Sequence, residues 1–209
     1  MIFKVYNLFT INKAQKTQGP AALRCFLRPA ARQRLAPYMD RVTLVHSNFS
    51  RVAEVLDELG VPAVDGMLFD LGVSSPQLDD AQRGFSYMHD GPLDMRMDQQ
   101  TEKTAAFVVN TYSEEALADL IWRYGEERWH KRIAQFIVLT RQKAPLTTTF
   151  QLVDVIKKAI PKGARKDGPH PAKRTFQALR IEINDELGIL EQAVDDAISA
   201  LVSGGRIGV

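Results

Sequence analysis

A chain of 209 residues, 45% hydrophobic and 25% charged, lies in the ordinary globular range and can bury one sizeable core or two small ones, which excludes wholesale disorder. Its apolar runs fall well short of the roughly 18 residues a membrane span needs, Met1 to Lys16 carries no export-signal pattern, and a lone Cys25 excludes an internal disulfide and a cysteine-built zinc site. A cytoplasmic location is expected. The net charge of +2 hides a division: Asp65 to Glu102 holds eight Asp or Glu against Arg83 and Arg96, whereas Arg128 to Arg174 holds twelve Lys or Arg against Asp154 and Asp167. The second excess makes nucleic acid the leading candidate partner, a solvated helical surface being the plainer reading.

In chain order, residues 42 to 69 read as strand, helix, strand, the signature of a parallel α/β layer. Val42, Leu44 and Val45 form the first strand. Ser50 is placed to cap a helix with Val52, Val55, Leu56 and Leu59 on one face, and Gly60 to end it in a left-handed conformation. Val64, Met67, Leu68 and Phe69 supply a second buried strand that runs into Asp70, and ligands of open α/β sheets bind beyond the carboxyl ends of such strands.

A helical texture follows from about 99 to 170. Thr111 and Glu114 suggest a capping box ahead of Leu117, Leu120, Ile121 and Tyr124, with Gly125 as the stop; Trp129, Ile133, Phe136 and Ile137 mark a second helix; Thr149 is placed to cap a third. Lys162 to Pro171 reads as an irregular connector. Phe176, Leu179, Ile183, Leu187, Leu190, Val194, Ile198 and Leu201 predict one long helix over about 173–202, its stripe facing a sheet, with Gly204 and Gly205 ending it and Arg206 to Val209 starting a strand.

The densest group of unusual residues is Asp70-Leu-Gly-Val-Ser74-Ser75-Pro76-Gln77-Leu-Asp79, followed by Arg83-Gly-Phe-Ser86 and Asp90-Gly-Pro-Leu-Asp94-Met-Arg96-Met-Asp98. A strand ending in Asp and a Ser-Ser-Pro turn put a carboxylate, hydroxyls and backbone groups at the sheet's carboxyl edge, although the same residues also favour turns for conformational reasons. The alternation of Asp94, Arg96 and Asp98 suits an ion-paired turn as well as a substrate site. His89, His130 and His170 have no metal spacing, so no metal is expected, and Trp122 and Trp129 are expected in the core rather than as base-stacking platforms.

The run from Asp70 to Asp98, with Tyr124-Gly-Glu-Glu-Arg128 and His170-Pro-Ala-Lys-Arg-Thr-Phe-Gln-Ala-Leu-Arg180, resembles the bacterial MraW (RsmH) family of ribosomal RNA cytosine-N(4) methyltransferases, which has mitochondrial relatives; the match covers about residues 29 to 209. The resemblance implies an α/β fold, a partial Rossmann-like S-adenosylmethionine methyltransferase sheet interrupted by an inserted all-helical domain. Its divisions are an atypical segment 1–28, the first part of the core at 29–98, a helical insert for RNA recognition at 99–170 and the second part of the core at 171–209. The implied activity is S-adenosylmethionine-dependent N(4)-methylation of a cytosine in small-subunit (16S) ribosomal RNA. Carried over residue by residue, the donor contacts fall on Phe49, Asp70 and Gln77, with His46-Ser-Asn-Phe49 suiting an adenine. Asp70, Ser74, Ser75 and Pro76 stand where amino-methyltransferases keep their catalytic loop. Read from their spacing, Arg128, Lys131 and Arg132, about one helical turn apart, suit a phosphate-tracking face, a plain solvated face being the alternative, and Lys173 and Arg174 are further candidates for RNA contact. The oligomeric state is left open, a homodimer being one candidate.

The chain departs from the family pattern between Met1 and Leu27, where neither a Gly-Gly-Gly-His loop nor a strand ending in a ribose-gripping acid is found, Phe26 standing at the acid's position. It also stops at Arg206-Ile-Gly-Val209, where the family continues. The sequence is therefore expected to be cut short at both ends and to bind S-adenosylmethionine poorly, the alternative function being that of an inactive, RNA-binding remnant.

Overall fold

A computed structural model describes residues 2–6, 8–12, 33–45, 47–165 and 169–209. His46, Phe26 and the middle of the basic connector, 166–168, lie outside them. The chain divides into two compact units, Met1–Gly72 with Leu187–Val209, and Val73–Glu186. Among the described residues no helix is long and apolar enough to cross a membrane.

The first unit is built on a five-stranded sheet in the order β3-β2-β1-β4-β5. Its strands are β1 (Ile2–Tyr6), β2 (Leu8–Asn12), β3 (Val42–Val45), β4 (Val64–Phe69) and β5 (Leu201–Gly208). β4 lies between β1 and the edge strand β5 and is parallel to both, with Phe3 opposite Met67 on one side and Met67 opposite Ile207 on the other. β2 runs antiparallel to β1 and β3. The layer is thus mixed rather than wholly parallel, and β1 and β2, in the segment expected to be atypical, separate the two strands legible in the sequence.

Helix α1 (Val52–Glu58) follows a short 3-10 turn, Phe49–Arg51. The cap is Asn48 and not Ser50: the Asn48 side chain accepts from the Ser50 N–H at 3.1 Å, because Asn48 is the last extended residue before the turn. Gly60, at φ 62°, ends the helix, with the Val61 N–H donating to the Leu56 carbonyl at 2.9 Å. Val52, Val55 and Leu56 pack in one cluster with Val45, Val64, Met67, Phe69, Ala193 and Ala197. Leu68, expected buried, is 37% exposed, since its side chain alternates to the other side of the strand from Met67 and Phe69.

The second unit is helical: α2 (Ser75–Asp79), α3 (Ala105–Thr111), α4 (Glu114–Gly125), α5 (His130–Arg141), α6 (Thr149–Ala159) and α7 (Lys173–Asn184). The caps of α3, α4 and α6 are Thr104, Ser113 and Thr148, each accepting a backbone N–H from the first turn. Thr111 and Thr149, expected as caps, lie inside helices. Thr149 is fully buried, its hydroxyl donating to the His89 carbonyl at 2.8 Å and accepting the Gly91 N–H at 3.1 Å. Gly125 is the last residue of α4, and Glu126, at φ 49°, is the left-handed residue that stops it.

The expected helix over 173–202 is two, α7 and α8 (Glu186–Ser199), broken at Asp185 with φ 47°. The apolar stripe is divided accordingly: Phe176, Leu179 and Ile183 enter the core of the helical unit, Ala193 and Ala197 that of the sheet unit, while Leu187 and Ile198 are exposed. Gly204 and Gly205 lie inside β5 instead of ending a helix.

Candidate functional site

In the sheet unit, Phe49 and Asp70 each follow a strand, Phe49 shortly after β3 and Asp70 directly after β4. The Phe49 ring meets Phe69 edge-on, 6.4 Å between centroids, and is half-buried, while Asp70 presents an exposed carboxylate. An aromatic face and a carboxylate therefore share the carboxyl end of parallel strands, the edge at which α/β sheets hold ligands. That pairing suits a nucleoside, whose base stacks and whose hydroxyls donate to carboxylates.

In the helical unit, Ser74, Ser75 and Pro76 are exposed and open α2. Gln77 is only 7% exposed, and its Oε1 accepts both the Ser74 N–H at 2.8 Å and the Ser74 hydroxyl at 3.0 Å. The side chain assigned to the donor is thus engaged in holding its own turn. The Ser74 hydrogen is spent there, which leaves the Ser74 oxygen able to accept.

Val73 and Leu78 flank this turn and, with Phe85, Tyr87, Lys173, Phe176, Gln177 and Arg180, line a cavity of about 180 Å³. Tyr87 stacks on His170 at 4.7 Å and meets Phe176 edge-on at 5.8 Å. Burial, and after it the charge of Lys157, pushes His170 below the usual histidine range, which favours its neutral form in this stack. The aromatic gathering was missed in the sequence because Tyr87 lies more than 80 positions from both His170 and Phe176; the available signal was that the Arg83-to-Ser86 and His170-to-Arg180 motifs both contribute to the cavity.

The acidic motif is a pinned loop. Arg96 donates to both oxygens of Asp94, at 2.8 and 2.7 Å, and to the Gln99 and Thr101 carbonyls. Burial raises the Asp94 pKa, but the hydrogen bonds and charge of Arg96 outweigh it and hold the carboxyl below the usual range. Asn184 of α7 accepts the Met97 N–H and donates to the Met95 carbonyl, and Arg83 donates to the Arg96 and Met97 carbonyls. A Cβ at Gly84 would come within 2.1 Å of the Pro92 carbonyl oxygen, so glycine is required where the loop doubles back. Of the two readings of this motif, the ion-paired turn is the one the geometry describes.

The structure brings the basic residues together at one end of the helical unit. Arg128 lies over the Trp129 ring at 5.2 Å and Arg132 over Phe136 at 5.3 Å, with Lys131 exposed between them. Arg174 donates to the Glu126 carbonyl at 2.8 Å, so the start of α7 adjoins the end of α4. A second cavity, about 310 Å³, lies there between Tyr124, Gly125, Glu126, Pro169, Lys173, Arg174 and Gln177. Trp129 is half-buried against the core as expected, but Trp122 is 54% exposed because it falls off the apolar face of Leu117, Leu120 and Ile121. Among the described residues no group of three or more His, Cys, Asp or Glu is placed to hold a metal.

The chain belongs to the MraW methylase family, whose profile matches residues 26–209. It is 58% identical over 180 residues to a protein of Symbiobacterium thermophilum named ribosomal RNA small subunit methyltransferase H, covering 86% of this chain and 57% of the relative. Proteins of the same name from Clostridioides difficile and Heliobacterium mobile are 59% identical over 177 residues and 53% over 193, covering 85% and 92% of this chain. The chain spans 57% and 60% of the length of these two relatives.

Proposed function

We propose that the chain serves an S-adenosylmethionine-dependent methyltransferase activity that modifies the N(4) amine of a cytosine in small-subunit (16S) ribosomal RNA, in the cytoplasm. The observation that carries this reading is the exposed Asp70 carboxylate at the carboxyl end of β4, followed at once by the Ser74–Gln77 turn, in a chain of the MraW methylase family. Bound at this edge, S-adenosylmethionine supplies an electrophilic methyl group on its sulfonium. The half-buried Phe49 offers a face to adenine, and Asp70 accepts hydrogens from hydroxyl or amine donors. The cytosine amine is a poor nucleophile because its lone pair is delocalised into the ring. An acceptor that holds its hydrogens, Asp70 or a Ser74 or Ser75 oxygen, favours a pyramidal nitrogen aligned for attack, while Pro76 stiffens the turn.

Arg128, Lys131, Arg132, Lys173 and Arg174 hold RNA phosphates, and the target base leaves its stack to reach Asp70. On this reading the sheet is a Rossmann-like methyltransferase sheet interrupted by an inserted helical domain. The test is a chimera in which residues 26–209 replace the matching segment of the Clostridioides difficile relative, assayed on small-subunit RNA with a labelled donor. N(4)-methylcytidine is expected from the chimera, and Asp70→Ala should abolish it with the melting transition unchanged; near-normal turnover by that variant refutes the role of Asp70.

A further inference from the structure

Trp122, on α4, is 54% exposed, and among the aromatics that the helical unit leaves exposed, with Phe107 and Phe150, it is the tryptophan. Its indole is not isolated: the His130 ring, at the start of α5, lies against it with centroids 5.2 Å apart and planes 43° to each other. His130 is itself fixed, because its Nδ1 lies 2.9 Å from the Glu127 carbonyl, an acceptor only, so Nδ1 carries the proton and donates. The indole is thereby braced from one side while 54% of the residue remains exposed.

The surroundings are cationic. Arg128, Lys131 and Arg132 are exposed around His130, and Arg128 is steadied over the Trp129 ring. Of the two acids between Trp122 and Arg132, Glu127 is 7% exposed with its carboxylate on the Trp129 N–H, and Glu126 alone is exposed. Asp119 is engaged with Arg123 at 2.7 Å. A braced aromatic face beside positive charge is the combination by which proteins hold single-stranded nucleic acid, the bases stacking and the phosphates meeting cations. An apolar partner would not be drawn to so charged a rim.

We propose that Trp122, backed by His130, is a stacking platform for an unpaired nucleobase of single-stranded RNA, with the flanking phosphates on Arg128 and Lys131. The inference rests on the reading of the basic face as the RNA-holding surface and adds a specific base contact to it. It makes the helical unit a reader of single-stranded RNA rather than a plain electrostatic cradle.

The experiment compares the binding of a short single-stranded oligoribonucleotide and of an RNA duplex by the wild-type chain, Trp122→Ala, Trp122→Phe and Lys131→Glu. Trp122→Ala should weaken single-strand binding about tenfold, Trp122→Phe should largely restore it, and duplex binding should not change, because paired bases offer no free face. Lys131→Glu should weaken both. Single-strand binding that survives Trp122→Ala while Lys131→Glu weakens it overturns the platform and leaves the basic face standing. Absence of RNA binding by the wild-type chain overturns both readings. Loss of self-association in Trp122→Ala with RNA affinity intact makes the patch a protein contact and also overturns the platform.

Discussion

Single side chains in the helical unit do work that their residue type alone does not announce. Gly125 occupies the last turn of α4, where alanine would ordinarily be the better helix former. A Cβ there would come within 2.6 Å of the Arg174 carbonyl oxygen and 3.3 Å of the Ala178 Cβ, so its absence is what lets α4 and α7 approach. Backbone cannot retreat as a flexible side chain would. Gly125→Ala is therefore expected to lose about 1–2 kcal/mol of stability, overpacking outweighing the gain in helix propensity, as a lower urea midpoint with unchanged slope would show. The same glycine is part of a motif quoted from the sequence, where it reads as a helix stop; the left-handed residue that stops the helix is Glu126.

At the scale of elements, the decisive feature is where a helix ends. Eight apolar residues spaced by three and four predict one helix over 173–202, and nothing in that periodicity marks Asp185. Its φ of 47° breaks the hydrogen-bond ladder, so that α7 serves the helical core and α8 the sheet core. Left-handed backbone costs an L-residue with a Cβ more than glycine. Asp185→Gly should therefore raise stability by about 0.5–1 kcal/mol, visible as a higher urea midpoint. The caps follow a related rule: Thr148 and Thr149 are alike in chemistry, and only the extended backbone of Thr148 makes it the cap.

For the whole molecule, charge and fold divide the labour. Three acids of the acidic stretch are engaged, Asp94 on Arg96, Asp90 on the Phe150 N–H and Asp98 on the Gln100 N–H, and Asp70 is exposed, while of the basic stretch Arg128, Lys131, Arg132, Lys173 and Arg174 are exposed around the end of α4 and the starts of α5 and α7. If that basic face holds RNA, affinity must fall steeply with salt. Arg128→Ala with Arg132→Ala should reduce the slope of log K against log salt for a single strand by about 1.4, two phosphate contacts being lost. An unchanged slope in a binding titration would place both arginines off the RNA.

The sequence by itself determined the local facts: the strand that ends at Asp70, the α1 stop at Gly60, the turn at Ser74–Gln77, the helices that fill the basic stretch, and the motif set by which the chain is recognised as a member of its family. These depend on near-neighbour periodicity and on residues that tolerate few conformations. The tertiary structure alone decided which strands lie between β3 and β4, that Gln77 is engaged with Ser74, that Tyr87, His170 and Phe176 meet beside the serine turn, and that Trp122 faces out. Each of these is settled by packing between segments far apart in the chain, and side-chain spacing along one segment carries no record of which partner will cover it.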